Sequence, residues 1–176
     1  MSIVVVRAAL PDQIEAVRML LREYALHLNH SLGEEHICLK DYERELAGLP
    51  GLYAAPAGAL LLALADGEPA GCVALKPLHP SRGVEDAFEA ACEMKRLWVR
   101  AEFRGRFAGR MLCEALIERA RELGYSAMYL DTVPAAMQSA NRIYGELGFE
   151  RVERYNTNPI LGANPSVGVE FFRLAL

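Results

Sequence analysis

The sequence predicts an α/β (α+β) layer fold, with helices covering a mixed sheet, and three observations carry that expectation. Short apolar runs that read as strands are interspersed with longer runs of helical period along the chain. Asp66-Gly67 splits two apolar stretches, and such a pair tolerates the positive φ of a tight hairpin. The 176 residues are 52% hydrophobic and 24% charged, which supplies one packed core. No repeat, low-complexity tract or linker interrupts them, so residues 1–176 are expected to form one domain.

Residues 3–7 read as a first strand. Pro11 suits a helix start, and Ile14, Val17, Leu21, Tyr24 and Leu28 follow at helical spacing. "NHSLGEEH" reads as a polar loop, and "DYERELAGLPG" as a short helix stopped by Gly48 and Pro50. The hairpin strands lie in "ALLLALADGEPAGCVALKPL", and after the acidic "HPSRGVEDAFEAA" a further strand covers 92–100. Alternation along it sends Glu93 and Lys95 to one face and Met94, Arg96 and Trp98 to the other. A helix with Met111, Leu112, Ala115, Leu116 and Leu123 on one stripe ends at Gly124. "SAMYLDTV" is a strand, 135–147 a helix closed by Gly148, and 149–154 and 168–174 are two last strands.

Composition excludes several classes. A net charge of -4 and a pI near 5.6 speak against a nucleic-acid partner. Without about 20 consecutive apolar residues there is no membrane span, and the short apolar run at the amino terminus lacks the basic start of a signal peptide. A cytoplasmic protein is the expectation. Cys38, Cys72, Cys92 and Cys113 are scattered and read as buried thiols in a reducing compartment. His27, His30, His36 and His79 have no metal-ligand spacing, so they read as solvated or capping residues and no metal is expected.

One stretch stands out chemically. "RAEFRGRFAGRML" places Arg104, Arg106 and Arg110, with Gly105 and Gly109, at a strand-to-helix junction. Free N–H groups and the macrodipole at a helix start favour an anion, glycines allow close approach, and arginines add attraction. By itself the pattern reads equally as a solvated turn. It is neither a Walker loop nor a dinucleotide fingerprint.

The wider context resembles the GCN5-related N-acetyltransferase (GNAT) family across nearly the whole chain. "EMKRLWVRAEFRGR" precedes the junction, "YGELGF" follows later, and Arg104-Gly105-Arg106-Phe107-Ala108-Gly109 occupies the family's signature, Arg or Gln, two residues, Gly, one residue, Gly or Ala. Phe107 stands where the first signature glycine is expected. With positive φ it would be strained by roughly 1–2 kcal/mol; with negative φ it only adds apolar surface. The resemblance implies a single-domain GNAT fold: a twisted, mostly antiparallel sheet flanked by helices, with splayed central strands holding acetyl-CoA.

The implied reaction is transfer of acetyl from acetyl-CoA to a primary amine of a small molecule or peptide, by direct attack. The resemblance assigns the pyrophosphate to the turn from Arg104 through Gly105, Arg106, Phe107, Ala108 and Gly109 to Arg110. It assigns the pantetheine arm to the backbone of Leu97, Trp98 and Val99, and the developing oxyanion to the amide of Leu97 or Val99. An alkylamine is mostly protonated at neutral pH, so a base or water relay is needed, and Glu93 is the match. Tyr144 matches the family tyrosine that protonates the leaving thiolate. Met137 replaces a family asparagine, leaving Asn141 or Gln138 to compensate. Glu34 and Glu35, Asp131, and Tyr155, Asn156, Asn158 and Pro159 in "YNTNPILGANPS" are candidate walls of the acceptor site. A homodimer follows only from family habit. Two rivals remain: the same fold binding CoA without catalysis, to which Phe107 and Met137 lend support, and a nucleotide enzyme using the arginine turn.

Overall fold

The computed structural model describes residues 2–33, 39–78, 90–156 and 167–176. Glu34, Glu35, His36, Cys38, His79, Asn158 and Pro159 lie outside them. In chain order the elements are β1 (Ile3–Arg7), α1 (Pro11–Leu32), α2 (Leu39–Ala47), β2 (Ala59–Ala65), β3 (Glu68–Pro77), β4 (Ala91–Val99), α3 (Ala108–Glu122), β5 (Ala127–Thr132), α4 (Gln138–Glu146), β6 (Glu150–Val152) and β7 (Glu170–Ala175). The expected succession of strands and helices is the observed one.

The strands form one seven-stranded sheet in the order β1-β2-β3-β4-β5-β7-β6. Every neighbouring pair is antiparallel except β4 and β5. β2 is buried on both faces, which explains its unbroken apolar run. Leu60 and Leu62 pack with Val17, Leu20 and Leu21 of α1, while Leu61 and Ala63 pack with Leu112 and Leu116 of α3. Asp66 at φ 47° and Gly67 at φ 92° make the two-residue turn into β3, a geometry that matches the twist of paired strands.

Several boundaries differ from the expectations. α1 runs through the predicted polar loop as far as Leu32, where Gly33 at φ 73° ends it. Asn29, His30 and Ser31 are polar yet helical, because a left-handed residue and not polarity stops a helix. α4 starts at Gln138, three residues late: the N–H groups of Ala136 and Met137 first turn back to the carbonyl of Val133, at 3.0 and 2.9 Å. β6 is trimmed to 150–152, and β7 starts two residues late and runs one residue further, over 170–175. On α3 the buried stripe is Leu112, Cys113, Leu116, Ile117 and Ala120, while Met111 and Ala115 are only partly buried.

The largest departure lies inside β4. Cys72 faces Trp98 and Ala74 faces Lys95, so Val73 alone opposes Arg96 and Leu97. Arg96 is the extra residue of this bulge and sits at φ 62°. Simple alternation is thereby overturned. Cys92, Met94 and Leu97 pack on the α3 side, while Arg96 turns to Tyr42 of α2 and Trp98 packs beside α1. Arg96 therefore shares a face with Trp98 but not with Met94.

Candidate active site

β4 and β5 pair only at Ala91↔Ala127, Cys92↔Met128 and Glu93↔Tyr129. Beyond that point the strands part, and Leu97, Trp98 and Val99 have no β5 residue opposite them. Gly71 of β3 makes room on the other side. A Cβ there would lie 2.5 Å from the Trp98 carbonyl oxygen and 3.2 Å from the Val99 Cα.

α3 begins near the end of β4. Phe107 is its N-cap at φ 65° and ψ -3°, with no side-chain cap, and the residue is 74% exposed. The positive-φ alternative is thus the observed one. The first backbone bond of the helix start runs from the Met111 N–H to the Phe107 carbonyl, and no described carbonyl accepts from Ala108, Gly109 or Arg110. Gly109 fits closely: its Cβ would meet Ile143 Cδ1 at 3.1 Å and Val99 Cγ2 at 3.6 Å. The arginine charges are partly engaged. Arg104 lies 4.8 Å over the Trp98 ring and donates from Nε to the Val99 carbonyl at 3.0 Å. Arg110 pairs with Glu114 at 2.8 Å and Glu146 at 3.0 Å.

The splay is bridged by side chains on the α1 side. Lys95 Nζ donates to Asp131 Oδ1 at 2.8 Å, two residues past the last backbone pair on each strand. Glu93 is 2% exposed and receives donors from Lys76 (2.9 Å), Tyr155 (2.8 Å), Asn156 (2.9 Å) and, at the longer 3.5 Å, Lys95. Asn156 also donates to Asp131 Oδ2 at 2.8 Å. Burial opposes the charge on Lys95, but Asp131 and Glu93 outweigh it and hold its pKa above the ordinary value. Burial, then the Glu93 and Asp131 charges, push the Tyr155 phenol far up, so it donates as a neutral group.

Tyr144 of α4 is buried with Leu97, Cys113 and Ala140 and meets Phe149 edge to face at 5.7 Å. Burial first, then Cys113, Tyr24 and Asp131, push its pKa well up, which keeps it a protonated phenol. Asn141 uses its Nδ2 on Met137 O (2.8 Å) and Thr132 Oγ1 (3.3 Å), leaving a buried Oδ1 without a partner. Burial pushes the Cys92 and Cys113 thiols up to about 12, so neither is a ready nucleophile.

Three neighbours of these groups carry no local sign in the sequence. Tyr24 looked like one more apolar position of α1, yet its ring meets Trp98 at 6.1 Å and Arg96 opposes the burial that raises its pKa. Lys76 lies directly across from Glu93, a pairing visible only once the β3 register is known. His27 was expected to be solvated or capping. Instead it packs 5.0 Å from Trp98 and reaches the Ala136 carbonyl before α4 at 3.1 Å. Among the described residues no three His, Cys, Asp or Glu side chains gather as a metal site, and no helix is long and apolar enough to cross a membrane.

The model of the acetyltransferase (GNAT) family matches residues 17–149. An uncharacterized N-acetyltransferase of Schizosaccharomyces pombe is 36% identical over 152 residues, covering 86% of this chain and 85% of its own. A GNAT-family acetyltransferase of Staphylococcus aureus Mu50 superposes with a TM-score of 0.74 at 18% identity, covering 99% of both chains. The protein yncA of Salmonella typhimurium, solved with its cofactor acetyl-CoA, superposes with a TM-score of 0.60 at 18% identity, covering 100% of this chain and 95% of its own.

Proposed function

The chain belongs to the GNAT family of acetyltransferases, and from that premise we propose that residues 1–176 form one domain that moves an acetyl group from acetyl-CoA to a primary amine of a small molecule or peptide. The observation that carries this reading is the splay, where β4 leaves β5 after Glu93 and the uncapped start of α3 follows close behind.

The residues present suit acetyl-CoA. The amides of Ala108, Gly109 and Arg110 are open to a pyrophosphate, and Gly105 at φ 72° followed by Phe107 at φ 65° bends the preceding turn into an anion-holding shape. The backbone of Leu97, Trp98 and Val99 suits an extended amide-bearing arm, and the unpartnered Oδ1 of Asn141 suits a donor on it. Acetyl-CoA supplies the thioester that makes the acetyl group transferable.

The chain's own residues then divide the work. Tyr144 keeps its proton until a leaving thiolate needs one. Glu93 already receives four donors, so it takes a proton from the amine through water or its hydrogen-bonded neighbours and not by direct contact. The amide of Leu97 or Val99 stabilises developing negative charge. Arg104 holds the end of β4 through the Val99 carbonyl while adding positive charge beside the turn.

The test is a thermal-shift titration with acetyl-CoA, CoA and ATP, followed by thiol release on adding amines. At 100 times the dissociation constant, binding should add about 2.7 kcal/mol of stability. A shift with acetyl-CoA and CoA but not ATP, with amine-dependent thiol release, is expected. A shift without thiol release for any amine would make the protein a non-catalytic binder.

A further inference from the structure

The four charged groups that close the splay are not evenly presented. The carboxylates lie inward: Glu93 and Asp131 have side chains only 2% and 7% exposed, and both accept hydrogen bonds from Lys95 and Asn156. The ammonium groups lie outward, with Lys76 28% and Lys95 19% exposed. Each ammonium carries three N–H donors. Among the described residues Lys76 uses one of them on Glu93, and Lys95 uses two, on Asp131 and weakly on Glu93. The open donor capacity at the floor of the splay therefore lies on the two outward cations, while Glu93 already receives four donors and Asp131, also buried, receives two from Lys95 and Asn156.

A cationic group entering this floor would meet two ammonium ions before any free carboxylate oxygen. A compact anion would instead complete their donor sets with charge-assisted hydrogen bonds. We infer that the acceptor amine carries its own compact anion, a carboxylate or a phosphate, held by Lys76 and Lys95. This rests on the acetyltransferase reading and narrows it from amines in general to anion-bearing amines such as amino acids. Lys76, the more exposed of the two ammonium groups, is the specificity contact, and Lys95 both contacts the anion and bridges β4 to β5.

The experiment compares matched amines with acetyl-CoA: the common amino acids against their α-carboxamides, phosphoethanolamine against ethanolamine, and 1,4-diaminobutane as a dication. Thiol release gives kcat/KM for each. An advantage of about ten-fold or more is expected for the anion-bearing member of at least one pair, the size of one charge-assisted hydrogen bond. Which pair shows it separates carboxylate from phosphate. Lys76→Met should erase most of that advantage by raising KM for the anionic amine, with KM for acetyl-CoA changed less than two-fold. Lys95→Met leaves two buried carboxylates short of a partner, so Lys95→Arg is the companion variant and should keep part of the preference. Turnover with no anion preference, or a preference for the diamine, overturns the inference and leaves the acetyltransferase reading standing. An advantage that survives Lys76→Met overturns the assigned contact. Absence of thiol release with every amine overturns both readings.

Discussion

Arg96 reaches from a left-handed position inside β4 to Glu45 on α2, closing two hydrogen bonds of 3.2 and 2.7 Å to its carboxylate. The guanidinium also lies 4.9 Å from the centre of the Tyr42 ring, and the Tyr53 hydroxyl donates to the same carboxylate at 2.8 Å. A non-glycine residue at such φ costs roughly 1–2 kcal/mol, so it persists where its surroundings hold it. Here the fastening comes from α2, on the opposite face of the sheet from α3. The bulge between β3 and β4, just past the last β4–β5 pair, is in this way tied to a helix on the other face of the sheet from α3.

Glu45→Gln should lower stability by about 1–3 kcal/mol, the range for a lost hydrogen bond to a charged group. Burial is the largest influence on the Glu45 carboxyl and pushes its pKa up, but the Arg96 charge and the hydrogen bonds from Arg96 and Tyr53 together leave it lowered. A lowered carboxyl stabilises the fold above its unfolded pKa and loses that contribution as pH falls through the folded value. Denaturant unfolding should therefore show the gap between wild type and variant narrowing below about pH 4. A gap independent of pH would sink the ion-pair explanation.

Gly71→Ala tests whether β4 needs the space beside its bulge. A Cβ 2.5 Å from the Trp98 carbonyl oxygen meets backbone, which cannot rotate away as a flexible side chain can. Stability should fall by roughly 1–3 kcal/mol, as for overpacking, with weaker acetyl-CoA binding. Wild-type melting and binding would mean that the strand moves aside without cost.

Phe107→Gly should raise the melting temperature or leave it unchanged. The substitution relieves left-handed strain at φ 65° and removes the side chain of a residue that is 74% exposed, while glycine's added freedom in the unfolded chain offsets roughly 0.5–1 kcal/mol of that gain. Acetyl-CoA affinity should hold or tighten. A clear loss of affinity would show that the ring itself contacts the cofactor.

Tyr144→Phe should cut kcat by about a hundred-fold, within the range for one general acid, with acetyl-CoA affinity changed less than two-fold. Because burial pushes this phenol well above its ordinary value, it should remain protonated across the working range. No alkaline limb in the rate below about pH 10 should then belong to it. A limb near pH 8 that vanishes in the variant would overturn the assignment.

The nature and order of the elements were legible because they follow local rules. Periodicity separated helices from strands, Asp66-Gly67 marked the hairpin, and glycine marked the ends of α3 and α4. The signature from Arg104 to Gly109 also announced the α3 turn, since an amide-rich helix start depends on a few neighbouring residues. Other features had no local sign. Nothing in the string "EMKRLWV" announces that Arg96 takes positive φ, and that one residue reverses the faces expected for Arg96 and Trp98 relative to Met94.

By itself, then, the sequence determined the element order, the family likeness and the identity of the candidate residues. The tertiary structure decided which way those residues face and with whom they pair. Lys76, Lys95, Asp131 and Asn156 come from four separate stretches of chain and converge around Glu93 because strand register and the splay bring them there. Periodicity is a property of neighbours along the chain, whereas burial and ion pairing depend on groups far apart in it. That is why Glu93 was legible as a candidate base, but its enclosure by four donors was not.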